Sequence, residues 1–595
     1  MRINYNTSVS FQRRLRKNEE ADYFNVLKEA RETASGQKNG KNILILPASS
    51  LPQSSQNNTG VGNLNSDESQ RFFDFTKKYW GINEIQLLPI GQCHKNHEQY
   101  PLYSGSSMDF GNYIIDAKEI LSNEDFKKLV NTNNISDRVN FSNVVDSKSE
   151  QEKLLKNIYN ELPLNMQLEF EYFKRQNANR LEAKSIFYAL TDLYGTHNTK
   201  NWAELDANLY DETIVPAMKR KERIAVLKKM PQADFYLFKQ FLAEKHFLKA
   251  KDKLNKKGIK LFGDMPCGFS ADEKWAHPKA FLKDYSIGWG LPALDFKSKE
   301  AEEILREKTK FYAKYFDGFR VDAAWTYTEP VIINPKAKQL IKFDWQDKFL
   351  KIIEEETIKT KGNNFDLSNI IYEFTADPNH FSMFDKFNLK PYIAERMQYI
   401  TSDYIKEDWG CDSAFKRRGW KNYVLGASNH DSHKIEYSKE QADILSQILK
   451  IPSEKLKTYS EFLKAKFAEP MSSKNVMLFF MHALGMGGQY KDNPAPTENY
   501  TAKIPANFED FYHNALQKGE AFNPMDALEK QFIAQGLDKE KPELFNKIKK
   551  YRKILEQTET KNTKMFIIAG SIALIGVVAA SWYLFTHKTN SNQHQ

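Results

Sequence analysis

Three carboxylates stand at the ends of short apolar runs: Asp322 in FDGFRVDAAW, Glu373 in NIIYEFTADP and Asp431 in GASNHDSHK. Each run is rich in β-branched and aromatic residues, which predicts a buried strand. Glycosidic-bond chemistry needs two carboxyl groups, one to attack the anomeric carbon and one to protonate the leaving oxygen. A third, with His430 beside it, is suited to holding sugar hydroxyls. The pattern predicts an enzyme that processes sugars.

The neighbours of the first two carboxylates indicate different roles for them. Arg320 precedes Asp322 by two positions, so both side chains lie on the same face of the strand. A guanidinium there keeps Asp322 ionised, as a nucleophile must be. Glu373 follows the apolar run 370–372, and an apolar setting favours the protonated form that a general acid requires.

These carboxylates require a frame that collects strand ends at one edge. Eight apolar runs predict strands, and helical patterns separate most of them, which favours a parallel sheet closed into a (β/α)₈ TIM barrel. An open doubly wound sheet is the alternative, although no GxGxxG follows the first run. The runs span residues 41–48, 84–91, 259–266, 317–324, 369–375, 397–403, 422–431 and 475–484.

The same patterns divide the chain into segments. The catalytic barrel is predicted over 41–510, with a helical insertion between strands 2 and 3 at about 112–240. The other predicted segments are a polar N-terminal arm (1–40), a charged helical connector (511–563), a transmembrane helix (564–586) and a short tail (587–595).

Composition argues against several classes of protein. The net charge of +9 is spread along the chain without a basic stripe, which argues against nucleic-acid binding. Cys93, Cys267 and Cys411 are far apart and form no CxxC pair, so neither a disulfide framework nor a zinc site is predicted. Aromatic residues make up 13% of the chain, which suits sugar stacking and core packing alike.

The C-terminal region contains a strongly apolar segment. Residues 565–585 are 21 positions without a charge, enough to span a bilayer as a helix. Seven Lys and Arg residues lie in 547–564, whereas only Lys588 follows the segment. Because positive flanks stay cytoplasmic, a single-pass anchor with the catalytic part facing the cytoplasm is predicted.

Several stretches resemble the α-amylase clan, and one branch of it in particular. DGFRVDAA and NHD resemble clan motifs, and the stretches from 41 to 510 follow the order of the amylomaltase, or 4-α-glucanotransferase (disproportionating enzyme), family. The stretches that resemble this family are ILPASSLPQ, QLLPIGQCHKNHEQYPLYSGSSMDFGNYIID, KLFGDMPCGFSADEKWAHPKAF, GWGLPALDF and LGMGGQYKDNPAPTENYTAKIP.

The resemblance implies retaining transfer of α-1,4-glucan segments between malto-oligosaccharides, without a metal or cofactor. It implies a covalent glucosyl intermediate on Asp322, acid/base catalysis by Glu373 and transition-state stabilisation by Asp431. The implied substrate-binding residues are Arg320 and His430, which support Asp431, together with Tyr103 and Asp264 on the donor side and Trp289 near the acceptor.

The chain also departs from the family pattern. Ala323 stands where the family has His, and the acidic neighbour of the family's E-D-L-G is Phe374 here. The loop between Pro278 and Trp289 is shorter than the family's, which arches over the acceptor site. Since transfer requires that water be excluded, an α-glucan hydrolase is the first alternative. A non-catalytic, membrane-tethered glucan-binding protein is the second.

Overall fold

The centre of the fold is a closed barrel of eight parallel strands. The computed structural model describes Leu15 and residues 17–93, 101–103, 105–132, 138–142, 148–287, 290–328, 331–334, 339–342, 348–373, 393–397, 423–428, 430, 435–487 and 500–557. Around the barrel the strand order is β1, β12, β11, β10, β9, β6, β3, β2. These strands are β1 (Asn42–Leu46), β2 (Glu84–Leu87), β3 (Lys260–Met265), β6 (Gly318–Val321), β9 (Ile370–Glu373), β10 (Ile393–Met397), β11 (Tyr423–Gly426) and β12 (Asn475–Phe479).

The predicted barrel is confirmed, and its closure excludes the open doubly wound alternative. Seven strands lie within the predicted runs, and most of their residues are buried, as expected for strands covered on both faces. The sixth prediction is wrong in position, because β10 occupies 393–397 whereas the sequence pattern indicated 397–403. The segment 393–397 reads IAERM, whose two charged residues concealed the strand from a hydropathy pattern.

A second sheet, which the sequence analysis missed, lies in the loops at the carboxyl ends of β3 and β6. It is antiparallel, with the order β5, β4, β7, β8. Its strands are β4 (Phe281–Ser286), β5 (Pro292–Leu294), β7 (Val331–Asn334) and β8 (Gln339–Lys342). VIIN and QLIK are short β-prone runs, but the loop PKAK between them lacks the Gly that would mark a hairpin in the sequence.

Among the described residues, helices lie in five of the intervals between consecutive barrel strands and extend the fold at both ends. Before β3 they are α1 (Lys17–Ser35), α2 (Asp67–Trp80), α3 (Ala117–Ile120), α4 (Asn123–Thr132), α5 (Glu150–Asn160), α6 (Leu164–Tyr194), α7 (Glu204–Ala207), α8 (Ala217–Leu227) and α9 (Pro231–Lys256). Between β3 and β12 they are α10 (Ala271–Ala276), α11 (Lys299–Tyr315), α12 (Trp325–Thr328), α13 (Lys348–Lys361), α14 (Lys439–Leu449) and α15 (Tyr459–Ala468). After β12 they are α16 (Phe480–Leu484), α17 (Phe508–Lys518), α18 (Pro524–Gln535), α19 (Leu537–Glu540) and α20 (Pro542–Glu556).

The two ends of the described chain pack against each other. The 19-residue helix α1 buries apolar residues that include Tyr23, whose ring meets the Tyr551 ring of α20 edge-on at 5.4 Å between centroids. The Tyr551 hydroxyl donates to Asp22 Oδ2 at 2.5 Å. Residues that the sequence assigned to an N-terminal arm and a C-terminal connector therefore contact one another.

In the part of the chain that the structure describes, none of the helices combines the length and apolar character needed to cross a bilayer. The predicted transmembrane segment, 564–586, lies outside the described residues and stays a prediction.

Candidate active site

A buried arginine on β6 gathers three carboxylates from three neighbouring strands. The Arg320 side chain is 0% exposed, and its Nη1 lies 2.8 Å from Asp264 Oδ1 and 2.8 Å from Asp322 Oδ1. Its Nη2 lies 2.7 Å from Glu373 Oε2. Since β3, β6 and β9 are adjacent and Asp264 is the register partner of Arg320, the strand pairing itself brings these charges together. The predicted contact between Arg320 and Asp322 is confirmed.

Asp322 occupies the turn that follows β6, and both of its carboxylate oxygens have partners. Its backbone N–H donates to the Met265 carbonyl at 3.0 Å, and Oδ2 accepts the Cys267 backbone N–H at 3.2 Å. The next residue, Ala323, has φ +42°, a left-handed conformation that an L-residue adopts at a cost. Burial acts to raise the pKa of Asp322, but Arg320, His430 and hydrogen bonds to Glu373 and Cys267 outweigh it and hold that pKa below the usual value. Asp322 is therefore ionised at neutral pH.

The surroundings of Glu373 differ from the sequence prediction. The apolar run before it predicted an apolar setting, yet Oε2 contacts Arg320 and also accepts the Ala323 backbone N–H at 2.8 Å. The prediction was wrong because residues 370–372 lie earlier on β9, whereas the Glu373 side chain meets the end of β6. Glu373 is also among the groups whose hydrogen bonding lowers the pKa of Asp322, so the two carboxyl groups influence each other.

Tyr103 and His430 extend this network towards the loops. The Tyr103 hydroxyl donates to Asp264 Oδ2 at 3.1 Å and lies 3.1 Å from His430 Nε2. The Tyr103 and His430 rings are nearly parallel, at 11° and 6.3 Å between centroids. Tyr500, which sequence reasoning missed, tilts against both rings at 5.8 Å and 6.4 Å. It too has a left-handed backbone, with φ +62°.

Asp264, on β3, is enclosed by its partners in this network. Its side chain is 0% exposed, with Oδ1 on Arg320 and Oδ2 on Tyr103. Burial, reinforced by the charge of Asp322 and opposed by Arg320, raises the pKa of Asp264 to about 6. In this arrangement Asp264 holds Arg320 and Tyr103 and presents no surface to a ligand.

Two predicted site residues, Asp431 and Trp289, lie outside the described residues, so their roles stay predictions. The other six, Arg320, Asp322, Glu373, Asp264, Tyr103 and His430, form one connected cluster. Within the described ranges no group of three or more His, Cys, Asp or Glu residues is arranged to hold a metal ion. Arg320 supplies the positive charge at the centre of this cluster.

A second buried network supports the loop that carries Tyr103. Lys184 of α6 donates to Ser106 Oγ and lies 3.3 Å from Glu273 Oε1. Glu273 also accepts the Ser107 backbone N–H at 3.0 Å and completes a capping box with Ser270 at the start of α10. The inserted helix α6 is thereby tied to the β2 and β3 loops. A single Lys within a helical pattern gives no indication in the sequence that its side chain is buried against these loops.

The fold and the site together define a class of protein: a (β/α)₈ barrel with an arginine–carboxylate site at the carboxyl ends of its strands. Residues 46–361, more than half of the chain, match the Glyco_hydro_77 family, which is described as 4-alpha-glucanotransferase. The chain belongs to this family, and the resemblance found in its motifs is confirmed.

The relatives of the chain agree with this assignment. A 4-alpha-glucanotransferase of Solanum tuberosum is 24% identical over 302 residues, covering 44% of this chain and 49% of the relative. A 4-alpha-glucanotransferase of Clostridium butyricum is 25% identical over 295 residues, covering 44% of this chain and 56% of the relative. The matched part of the chain thus spans about half the length of these curated relatives.

Two solved structures share the fold. The amylomaltase of Streptococcus agalactiae, solved in complex with acarbose, superposes with a TM-score of 0.62 at 17% identity, covering 82% of this chain and 100% of that one. The amylomaltase of Corynebacterium glutamicum gives a TM-score of 0.57 at 12% identity, covering 86% of this chain and 76% of that one. At these identities the likeness shows a common fold.

Proposed function

We propose that the protein is a 4-α-glucanotransferase that moves α-1,4-glucan segments between malto-oligosaccharides by a retaining double displacement. The observation that carries the proposal is the Arg320 cluster, in which one guanidinium contacts both carboxyl groups and holds Asp322 ionised. Inverting enzymes keep their two carboxyl groups about 6.5–9.5 Å apart to leave room for a water. Retaining enzymes keep the two groups only about 5–5.5 Å apart, and the sharing of one guanidinium by Asp322 and Glu373 favours this closer arrangement.

In the first displacement, an Asp322 oxygen attacks the anomeric carbon of the donor, and the bond to the leaving glycosidic oxygen breaks. Glu373 gives its proton to that oxygen, so the reducing-end fragment leaves as an alcohol. A covalent glucosyl ester on Asp322 remains. Arg320 contacts both carboxyl groups and limits the charge that accumulates between them as the proton moves.

In the second displacement, an acceptor hydroxyl attacks the same carbon and the ester bond breaks. Glu373, now ionised, takes the proton of that hydroxyl, and Asp322 is released as a carboxylate. In this proposal Asp431 stabilises the oxocarbenium-like transition state. His430 and Tyr103 contact the donor sugar, Asp264 positions Arg320 and Tyr103 on the donor side, and Trp289 stacks on the acceptor.

The decisive experiment incubates the full chain with pure maltotriose and follows products by chromatography beside a reducing-end assay. Transfer produces glucose and a ladder of longer maltodextrins while the number of reducing ends stays constant. An increase in reducing ends would make the protein a hydrolase. Unchanged maltotriose with retained binding of acarbose would indicate a glucan-binding protein.

The matched control for that assay is Asp322→Asn, which keeps the size of the side chain but removes its charge. We expect this variant to lose turnover by at least about 10³-fold while still binding acarbose. Full activity in the variant would refute the assignment of the nucleophile, even if the wild-type chain transfers glucan.

We also propose that residues 564–586 anchor the protein in a membrane, with the catalytic part on the cytoplasmic side. The basis is the uncharged stretch and its basic N-terminal flank. The full chain should sediment with membranes and resist carbonate extraction, whereas a chain ending at Thr563 should remain in the supernatant. Equal extraction of both forms would contradict the anchor.

A further inference from the structure

A buried lysine binds the backbone segment that contacts the candidate nucleophile. Lys308 of α11 is 0% exposed, and its Nζ donates to the Pro266 carbonyl at 2.6 Å and to the Gly268 carbonyl at 2.5 Å. The same ammonium lies 3.4 Å from the Tyr327 hydroxyl and 4.4 Å from the centroid of the Phe269 ring. Two hydrogen bonds of this charged group thus fall on one short segment, 266–268.

That segment also touches the nucleophile. Cys267, between the two carbonyls that Lys308 holds, donates its backbone N–H to Asp322 Oδ2 at 3.2 Å. Asp322 Oδ1 is held by Arg320, so the two oxygens are fixed from opposite sides. A hydrogen bond to the charged form of a carboxylate both orients it and favours its ionisation.

Tyr327 adds a further contact to the segment 266–268. Its hydroxyl donates to the Pro266 carbonyl at 3.3 Å, and its ring stacks on Phe349 at 4.4 Å between centroids and 3° between planes. These contacts restrict Pro266, but the Gly268 carbonyl is held by Lys308. Burial of an ammonium carries a large desolvation penalty, which is offset here by charge-assisted bonds to backbone carbonyls.

We propose that Lys308 is a positioning residue for Asp322: its ammonium fixes the segment 266–268 so that the Cys267 N–H holds one oxygen of the nucleophile. This inference rests on the proposed function, because it assigns Lys308 a part in the orientation of that nucleophile. Lys308 itself does not touch the substrate in this proposal.

The proposal has a signature in the pH dependence of the reaction. Arg320, His430, Glu373 and the Cys267 N–H act to lower the pKa of Asp322. Asp264, the Cys267 thiol and the Lys308 ammonium also interact electrostatically with Asp322; the charge of Asp264 opposes its ionisation and that of Lys308 favours it. Loss of the Cys267 hydrogen bond and of the nearby Lys308 charge should both raise the pKa of Asp322. The acid limb of kcat/KM should therefore move to higher pH when Lys308 can no longer hold the segment.

The test compares Lys308→Met with Lys466→Met in the full chain. Lys466 of α15 is also buried, has a pKa that burial likewise lowers to about 8, lies over a Phe ring (Phe462) and bonds to Gln441. It is therefore a matched control for removal of a buried cation. We expect Lys308→Met to reduce kcat about tenfold with KM within about twofold, and to shift the acid limb. Lys466→Met should change neither, and Lys308→Arg should recover part of kcat.

A second readout does not depend on turnover. Cys267 and Cys93 are both buried, at 7% and 6% exposure, and burial raises the pKa of both thiols. Iodoacetamide should alkylate Cys267 at least about tenfold faster in Lys308→Met than in the wild-type chain, as followed by mass spectrometry. The alkylation rate of Cys93 should be the same in both proteins. General unfolding would accelerate both thiols equally and would overturn the positioning role.

These measurements distinguish failure of the proposed function from failure of the positioning role of Lys308. If the wild-type chain neither transfers nor hydrolyses maltotriose, the proposed function fails, but selective exposure of Cys267 still supports the role of Lys308 in fixing the segment. If the enzyme is active and Lys308→Met keeps its kcat, acid limb and Cys267 protection, the inference fails alone. Should Lys308→Met not fold, Lys308→Gln, which keeps a donor and loses the charge, carries the same comparison.

Discussion

Asp264→Asn should remove a pH-dependent loss of folding stability that arises from the buried carboxyl group of Asp264. The wild-type carboxyl has a pKa of about 6 in the folded chain because burial opposes its charge, against 3.8 for an unperturbed Asp. Since the folded state binds the proton more tightly, the free energy of unfolding falls as pH rises from about 4 to 6. A difference of about two pKa units corresponds to about 3 kcal/mol at 1.36 kcal/mol per unit.

An Asn at position 264 does not titrate, so the variant lacks this loss. We therefore expect its stability relative to the wild-type chain to rise by about 3 kcal/mol between pH 3.5 and 7. Urea unfolding of the full chain in detergent, followed by tryptophan fluorescence at several pH values, measures this difference. The constant offset from altered packing does not matter, because only the change with pH is predicted.

Asp109→Asn provides a matched comparison. Asp109 is also fully buried, accepts a hydrogen bond from Tyr236 at 2.7 Å, and has a pKa that burial raises to about 6. Its variant should show a pH-dependent gain of similar size. A flat difference for Asp264→Asn, or a loss of relative stability as pH rises, would refute the reasoning.

Three further substitutions test other members of the cluster. Arg320→Met removes the cation that contacts three carboxylates. The free energy of unfolding, measured with urea, should fall by about 3–5 kcal/mol at pH 7.5, and by less at pH 5, where the carboxylates take up protons. A fall of less than about 1 kcal/mol at pH 7.5 would contradict this expectation. Glu373→Gln should slow transfer from maltotriose about 10²–10⁴-fold but spare aryl maltosides, whose leaving group needs little proton help; equal losses on the two donors would argue against the acid role. Tyr103→Phe keeps the ring but removes the hydroxyl that lies between Asp264 and His430. In the maltotriose assay kcat should fall about 5- to 10-fold. An unchanged kcat would show that this hydroxyl is dispensable.

The barrel was readable from the sequence because its strands are covered on both faces and therefore appear as continuous apolar runs. Seven of the eight positions followed from that signal alone. The sixth did not, since β10 carries two charged residues and hydropathy gave no reason to place it at 393–397. The small antiparallel sheet was missed for a similar reason, because β4 reads FLKDYS and is only partly buried.

The candidate site likewise has features that the sequence predicts and features that only the structure shows. Asp322 and Glu373 could be selected from the sequence because each ends an apolar run, and in a parallel barrel such ends meet at one edge. The environment of the Glu373 side chain could not be predicted from its position at the end of an apolar run. Its contacts are with Arg320 and the Ala323 N–H, which come from a neighbouring strand.

The sequence by itself therefore determined the class of fold, the order of the strands along the chain and the identity of the charged groups, since these depend on local composition and motif order. The tertiary structure alone decided that one guanidinium contacts three carboxylates, that Asp264 is enclosed with a pKa of about 6, and that Lys308 binds the carbonyls on either side of Cys267. The physical reason is that burial and charge pairing are properties of the space between strands. That space is set by register and barrel closure, which no local pattern of residues encodes.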